Sequence, residues 1–117
     1  MEPPIDTQLN LAIAKMLGWT KLRIKNGGVV RGITPNDVHS TAQYASDMSE
    51  AFEAHRVMCS RWFFSRRAEY YVEIQKAAMH ETGMNGLPQW PDVFELLTPR
   101  IICIAIIQTN ELNTETA

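Results

Sequence analysis

Residues 101–107 read Ile-Ile-Cys-Ile-Ala-Ile-Ile, an apolar run with no polar face. Such a run has to be covered on all sides, so the rest of the chain must be arranged around it. It is far too short to span a bilayer, which predicts no membrane partner. Its five isoleucines favour a strand by propensity. Thr98 followed by Pro99 favours a helix, because a capping hydroxyl precedes proline at the first helical position. A buried helix over residues 100–108 is the preferred reading, on that start signal and on a resemblance given below.

The elements that cover this run are read from periodicity. Asp6 is a candidate N-cap after Pro3-Pro4, and Leu9, Ile13, Met16 and Leu17 recur at helical spacing. Gly18 stops that helix, and Trp19 is expected to fold back onto its apolar stripe. Lys21-Leu22-Arg23-Ile24-Lys25 alternates polar with apolar, as a half-buried strand does. Asn26-Gly27-Gly28 turns it, Val29, Val30 and Ile33 return, and Thr34-Pro35-Asn36-Asp37 closes the unit. A second helix over residues 46–58, capped by Ser46 or Asp47, carries Met48, Ala51, Phe52, His55 and Cys59 on one face. Over residues 61–75 the spacing predicts an antiparallel strand pair, with Trp62 and Phe64 on one strand and Tyr70, Val72 and Ile74 on the other. Residues 81–92 read as a long loop, punctuated by glycine and proline and tacked down by Leu87 and Trp90. This order predicts an α+β fold, a small antiparallel sheet set between helices in one domain over residues 1–108. Residues 109–117 read as a mobile polar tail.

Composition narrows the function by exclusion. With 45% hydrophobic and 21% charged residues the chain is neither disordered nor fibrous, and two cysteines make no disulfide scaffold. Cys59 and Cys103 are expected to be buried thiols. A net charge of −2 argues against a long nucleic acid as partner. The first residues, Met-Glu-Pro-Pro-Ile-Asp, have neither the basic nor the apolar part of a secretory signal, which predicts a cytoplasmic protein.

No catalytic constellation stands out. His39, His55 and His80 lie far apart, without zinc-ligand spacing, so no metal or cofactor is expected. His55 reads as a packing residue on a helix face, and His80-Glu81 as a solvated loop margin. No Gly-x-Ser-x-Gly elbow is present, and burial would silence Cys103. The glycines at 27, 28 and 32 lack the Lys-Ser/Thr of a phosphate loop. The chain is therefore expected not to be an enzyme.

The charge pattern says more than the net charge. Lys21, Arg23, Lys25 and Arg31 form one stretch without an acid, and Arg56, Arg61, Arg66 and Arg67 form another that encloses Trp62, Phe63 and Phe64. Guanidinium forks recognise phosphate, and aromatic faces stack on bases. The candidate ligand-binding residues are Arg23, Arg61, Arg66 and Arg67 for phosphate and Trp90 for a base. The plainer alternative is a solvated strand face, core aromatics and an Arg56–Glu53 pair.

Several segments together resemble the phage ABA sandwich family of small bacteriophage proteins. They are residues 11–19 ending in Gly18-Trp19, the helix start at Tyr44-Ala45-Ser46-Asp47-Met48, the aromatics Trp62-Phe63-Phe64 and Tyr70-Tyr71, and Thr98-Pro99 with its isoleucine run. The resemblance implies an α-β-α sandwich, a phage or prophage origin and action in the host bacterial cytoplasm. It implies no catalytic residue. By analogy with small phage proteins that blunt host defence, the expected function is sequestration of a phosphate-bearing signal, a cyclic nucleotide or ADP-ribose type. The alternative is a protein–protein module, anchored by Leu87 and Trp90, that inhibits a host protein or assists phage assembly. The isoleucine-rich last helix suggests a homo-oligomer.

Overall fold

The computed structural model describes residues 4–116. The expected mixed α+β architecture is present: five helices with a small antiparallel sheet among them. The chain runs α1 (Ile5–Met16), β1 (Thr20–Ile24), β2 (Val30–Ile33), β3 (His39–Ala42), α2 (Met48–Arg61), α3 (Phe64–Thr82), α4 (Trp90–Leu96) and α5 (Pro99–Thr116). The isoleucine run is the hub. Helix α5 packs against α1, α2 and α3, and Ile101, Ile102, Cys103, Ala105 and Ile106 are buried. Thr98 caps it, its hydroxyl accepting from the Ile101 amide at 3.2 Å. Three of the five isoleucines are thus spent inside the monomer, while Ile104 and Ile107 are half-buried.

The last helix does not stop at residue 108. It continues to Thr116, through the segment expected to be a tail, and Thr109 is buried with its hydroxyl donating to the Ala105 carbonyl at 2.8 Å. A polar residue placed four on from a buried one satisfies itself on the helix backbone, which composition alone does not reveal.

Helix α1 links this hub to the sheet. Leu9, Ile13, Ala14 and Leu17 are buried along it. Its N-cap is Pro4, not Asp6, while Pro3 lies outside the described residues. Asp6 sits in the first turn and takes Arg100 Nη2 at 2.7 Å, tying α1 to the start of α5. Trp19 is half-buried, and the ring it meets is Tyr44, edge-on with centroids 6.1 Å apart. Its Nε1 donates to Tyr44 Oη at 3.1 Å.

The sheet has the order β1-β2-β3, antiparallel throughout. The expected hairpin is β1 and β2, paired as Ile24 with Val30 and Arg23 with Arg31. A bulge between Thr20 and Arg23 breaks the alternation, so Ile24 ends up exposed. The turn at residues 34–37 opens a second hairpin and leads into β3, which was not expected. Gly28, at φ +80°, lies against α1: a Cβ there would come 2.5 Å from Thr7 Oγ1. That hydroxyl donates to the Gly28 carbonyl at 2.7 Å, so the turn is pinned to α1.

The predicted strand pair over residues 61–75 is wrong. Helix α2 runs to Arg61, Trp62 turns the corner, and residues 64–82 form the longest helix, α3. Its buried side chains are Tyr70, Ile74, Ala77 and Ala78, spaced four, three and one apart along a single helical face. That stripe packs on α5 and outweighs the strand propensity of Tyr70, Tyr71 and Val72. Gly83, at φ +73°, ends α3 in the left-handed conformation. The expected loop over residues 81–92 is correspondingly shorter, because Trp90 and Pro91 already begin α4.

Candidate functional site

Helices α2, α3, α4 and the start of α5 enclose an apolar groove of about 430 Å³, lined by Phe52, His55, Tyr71, Ile74, Trp90, Phe94, Leu97 and Ile102. Each wall follows from local sequence. Asp47 caps α2 by accepting from the Glu50 amide at 3.1 Å, as expected, and so sets the phase of the helix. In that phase Ala51, Ala54 and Met58 are buried, while Phe52 and His55 stand at the groove. Along α4, Trp90 and Phe94 are four residues apart and share one face, Leu97 follows at the C-cap in extended backbone, and Val93 goes to the core.

The rings touch in sequence. Tyr71 meets Trp90 edge-on at 5.7 Å between centroids, and Trp90 meets Phe94 at 5.8 Å. On the other wall Phe52 meets His55 at 6.2 Å, and His55 meets the buried Tyr70 at 5.3 Å. Offset and edge contacts of this kind hold rings in place beyond their area alone. His55 Nδ1 lies 2.6 Å from Tyr70 Oη, and its Nε2 lies 3.9 Å from Cys59 Sγ. The expectation of a packing histidine with a satisfied nitrogen holds. Burial lowers the His55 pKa, which favours a neutral ring, and burial pushes the Tyr70 hydroxyl up. The Cys59 thiol is raised by burial and only partly opposed by Arg67. Cys59 and Cys103 are unpaired, and Cys103 is pushed up to about 12 by burial.

The five residues proposed from sequence are not gathered at one place. Trp90 is in the groove. Arg67 lines a neighbouring hollow with Phe64 and Tyr71, joined to the groove through Tyr71. Arg61 and Arg66 line a third hollow of about 190 Å³ with Trp62, Phe63 and Ser65. Arg61 also donates from Nη1 to the Met16 carbonyl at 2.9 Å, at the C-terminal end of α1, and Arg66 is ion-paired with Glu69. Arg23 is on the sheet, in a hollow with Lys21, Arg31 and His39. Arg56 pairs with Glu53 at 2.5 Å. The guanidinium groups thus fall into separate hollows.

No protein-family model matches the chain, and no curated protein or solved structure does. The site is therefore read from its own chemistry. Among the described residues no group of His, Cys, Asp and Glu side chains is placed to hold a metal ion, and no helix is long and apolar enough to cross a membrane. The groove presents ring faces and aliphatic side chains, with His55 as its one titratable imidazole. The sequence reading missed Tyr71, Phe94 and Leu97 as site residues. The signal was present: Trp90, Phe94 and Leu97 repeat at helical spacing, and Tyr71 joins them once residues 64–82 are taken as a helix.

Proposed function

We propose that this chain is a non-catalytic protein–protein interaction module that works by docking apolar side chains into the groove between α2, α3 and α4. The observation that carries the reading is the groove lining itself. Phe52, Tyr71 and Phe94 are exposed around a half-buried Trp90. Aromatic anchors of this type dominate binding energy at protein interfaces, and an exposed contiguous apolar patch usually marks a binding surface. The resemblance to small phage proteins adds a setting: a phage product in the bacterial cytoplasm, acting on a host protein or in phage assembly. The test is affinity capture from bacterial lysate with the wild-type chain, Trp90→Ala and Phe94→Ser. A protein captured by wild type and lost with both variants, whose circular dichroism is unchanged, is the expected result. Identical capture by all three would remove the groove from the function.

The expected sequestration of a phosphate-bearing signal remains the second reading, supported by Arg61 and Arg66 meeting Trp62 and Phe63 in one hollow. Calorimetry with cyclic dinucleotides and cyclic ADP-ribose separates the two. Heat that disappears in Arg61→Ala and survives in Phe94→Ser would favour the nucleotide.

A further inference from the structure

The corner between α2 and α3 presents two phenylalanines to water, Phe63 at 86% exposure and Phe64 at 81%. Among the described residues no packing covers these rings, and the corner itself is held by the buried Trp62. Phe64 adjoins the groove, and Phe63 precedes it in the chain, in the hollow with Arg61 and Arg66. Phe64 and Tyr71 share one hollow, and Tyr71 is also a wall of the groove, so knob and hole are continuous. A face that carries both can be satisfied by a copy of itself across a two-fold axis.

We infer that the occupant of the groove is a second copy of this chain, with Phe63 and Phe64 of each protomer seated among Phe52, Tyr71, Trp90 and Phe94 of the other. This rests on the groove being a docking surface and names its resting occupant, which a captured host protein would have to displace.

Area supports it. With roughly 200 Å² for each ring side chain, Phe52, Phe63, Phe64, Tyr71 and Phe94 leave about 650 Å² of their surface in water. The four that share the groove or its adjoining hollow, Phe52, Phe64, Tyr71 and Phe94, account for about 480 Å² of this, in the upper part of the roughly 300–600 Å² of a typical monomer's largest patch, which is itself often a binding surface. With Phe63 the total approaches the roughly 800 Å² that each partner contributes to a stable interface.

Charge supports it independently. In the corner, residues 61–69, Arg66 is taken up by Glu69, which leaves Arg61 and Arg67 as the surplus charge. Helix α4, one wall of the groove, carries Asp92 and Glu95, both exposed, and no base. On the α2 wall Glu53 is already neutralised by Arg56. A two-fold arrangement sets each basic corner against the other protomer's acidic α4, at both ends of the interface. Opposite charges placed at the rim fix orientation and speed encounter.

Sedimentation equilibrium across a concentration series tests the inference. The wild-type chain is expected to run at twice its own mass. Phe64→Ser and Phe94→Ser, both at exposed positions, are expected to keep the circular dichroism spectrum and weaken self-association by about tenfold or more. Arg67→Glu and Glu95→Arg are each expected to dissociate alone, because each sets like charges together twice. Mixed in equal amounts they are expected to form a heterodimer in which every facing pair is opposite. A dimer untouched by Phe64→Ser and Phe94→Ser would overturn the inference, as would a mixture no tighter than its components. A chain that stays monomeric and still captures a partner through Phe94 would overturn the dimer and leave the interaction-module reading. A monomer that captures nothing would overturn both.

Discussion

The two ends of this molecule treat their aromatic rings differently. At the end built from α1 and the sheet, Trp19 and Tyr44 are turned inward, in edge contact, and hydrogen-bonded to each other. The large apolar side chains left exposed there are aliphatic: Ile5, Ile24, Val29 and Val38. Polar ties finish the packing, from Thr7 to the Gly28 carbonyl and from the Ala45 amide to Asn10. At the end built from α2, α3 and α4, Tyr70 and Trp62 are buried, but Phe52, Phe63, Phe64, Tyr71 and Phe94 are not. The first end completes its core internally. The second keeps ring surface that folding did not use, and that surplus is what the proposed docking role rests on.

Substitutions can break or sharpen this contrast. The largest effect is expected at the inner edge of the aromatic face. Tyr70 is fully buried between His55, Trp62 and Tyr71, so Tyr70→Ala should cost about 3–5 kcal/mol in urea denaturation. A loss below about 1 kcal/mol would mean that this end has no core of its own. At the other end the key residue is polar. Asn10 Oδ1 accepts from the buried Ala45 amide at 2.8 Å, and Asn10→Ala should cost about 1–3 kcal/mol by stranding that donor.

A smaller effect separates the ends by pH. Burial holds the His55 pKa below its usual 6.5. The unfolded chain then takes up the proton more readily than the folded one, so stability is complete above about 6.5 and declines as pH falls toward the native value. The midpoint of urea unfolding should therefore drop between about pH 7.5 and 5 in the wild type and drop less in His55→Gln. Taking the difference between the two removes the contribution of Glu50, which burial raises and which acts in the opposite sense. Parallel curves would show that protonation of His55 is indifferent to folding. The smallest effect is expected at the exposed rings: Phe94→Ser should alter stability by no more than about 0.5 kcal/mol while impairing association. A large loss of stability would place Phe94 in the core and dissolve the contrast.

Local signals carried much of this fold. The Thr98-Pro99 start, the Asp47 cap and the hairpin turn at residues 26–28 are all interactions within a few residues, and each is found in the structure. Where a segment's propensity opposed its tertiary partner, the sequence misled. Residues 64–75 are rich in aromatics and look like strands. They are helical because Tyr70, Ile74, Ala77 and Ala78 meet α5 on one face. Of the candidate site, the sequence reading named Trp90; Phe52 and His55 were placed on one helix face as packing residues, and Tyr71, Phe94 and Leu97 were not picked out. What could not be seen was the company they keep. The arginines are close in sequence yet turn into different hollows, since successive residues on a helix point about 100° apart.

The order and start of most elements, the central isoleucine helix and the absence of catalytic spacings are written in the chain, because caps, turns and periodicity act over a few residues. Which rings were covered and which left bare was decided only when α3 and α4 closed over α5. Burial is a property of the partner surface, and a partner brought in from distant sequence leaves no local trace.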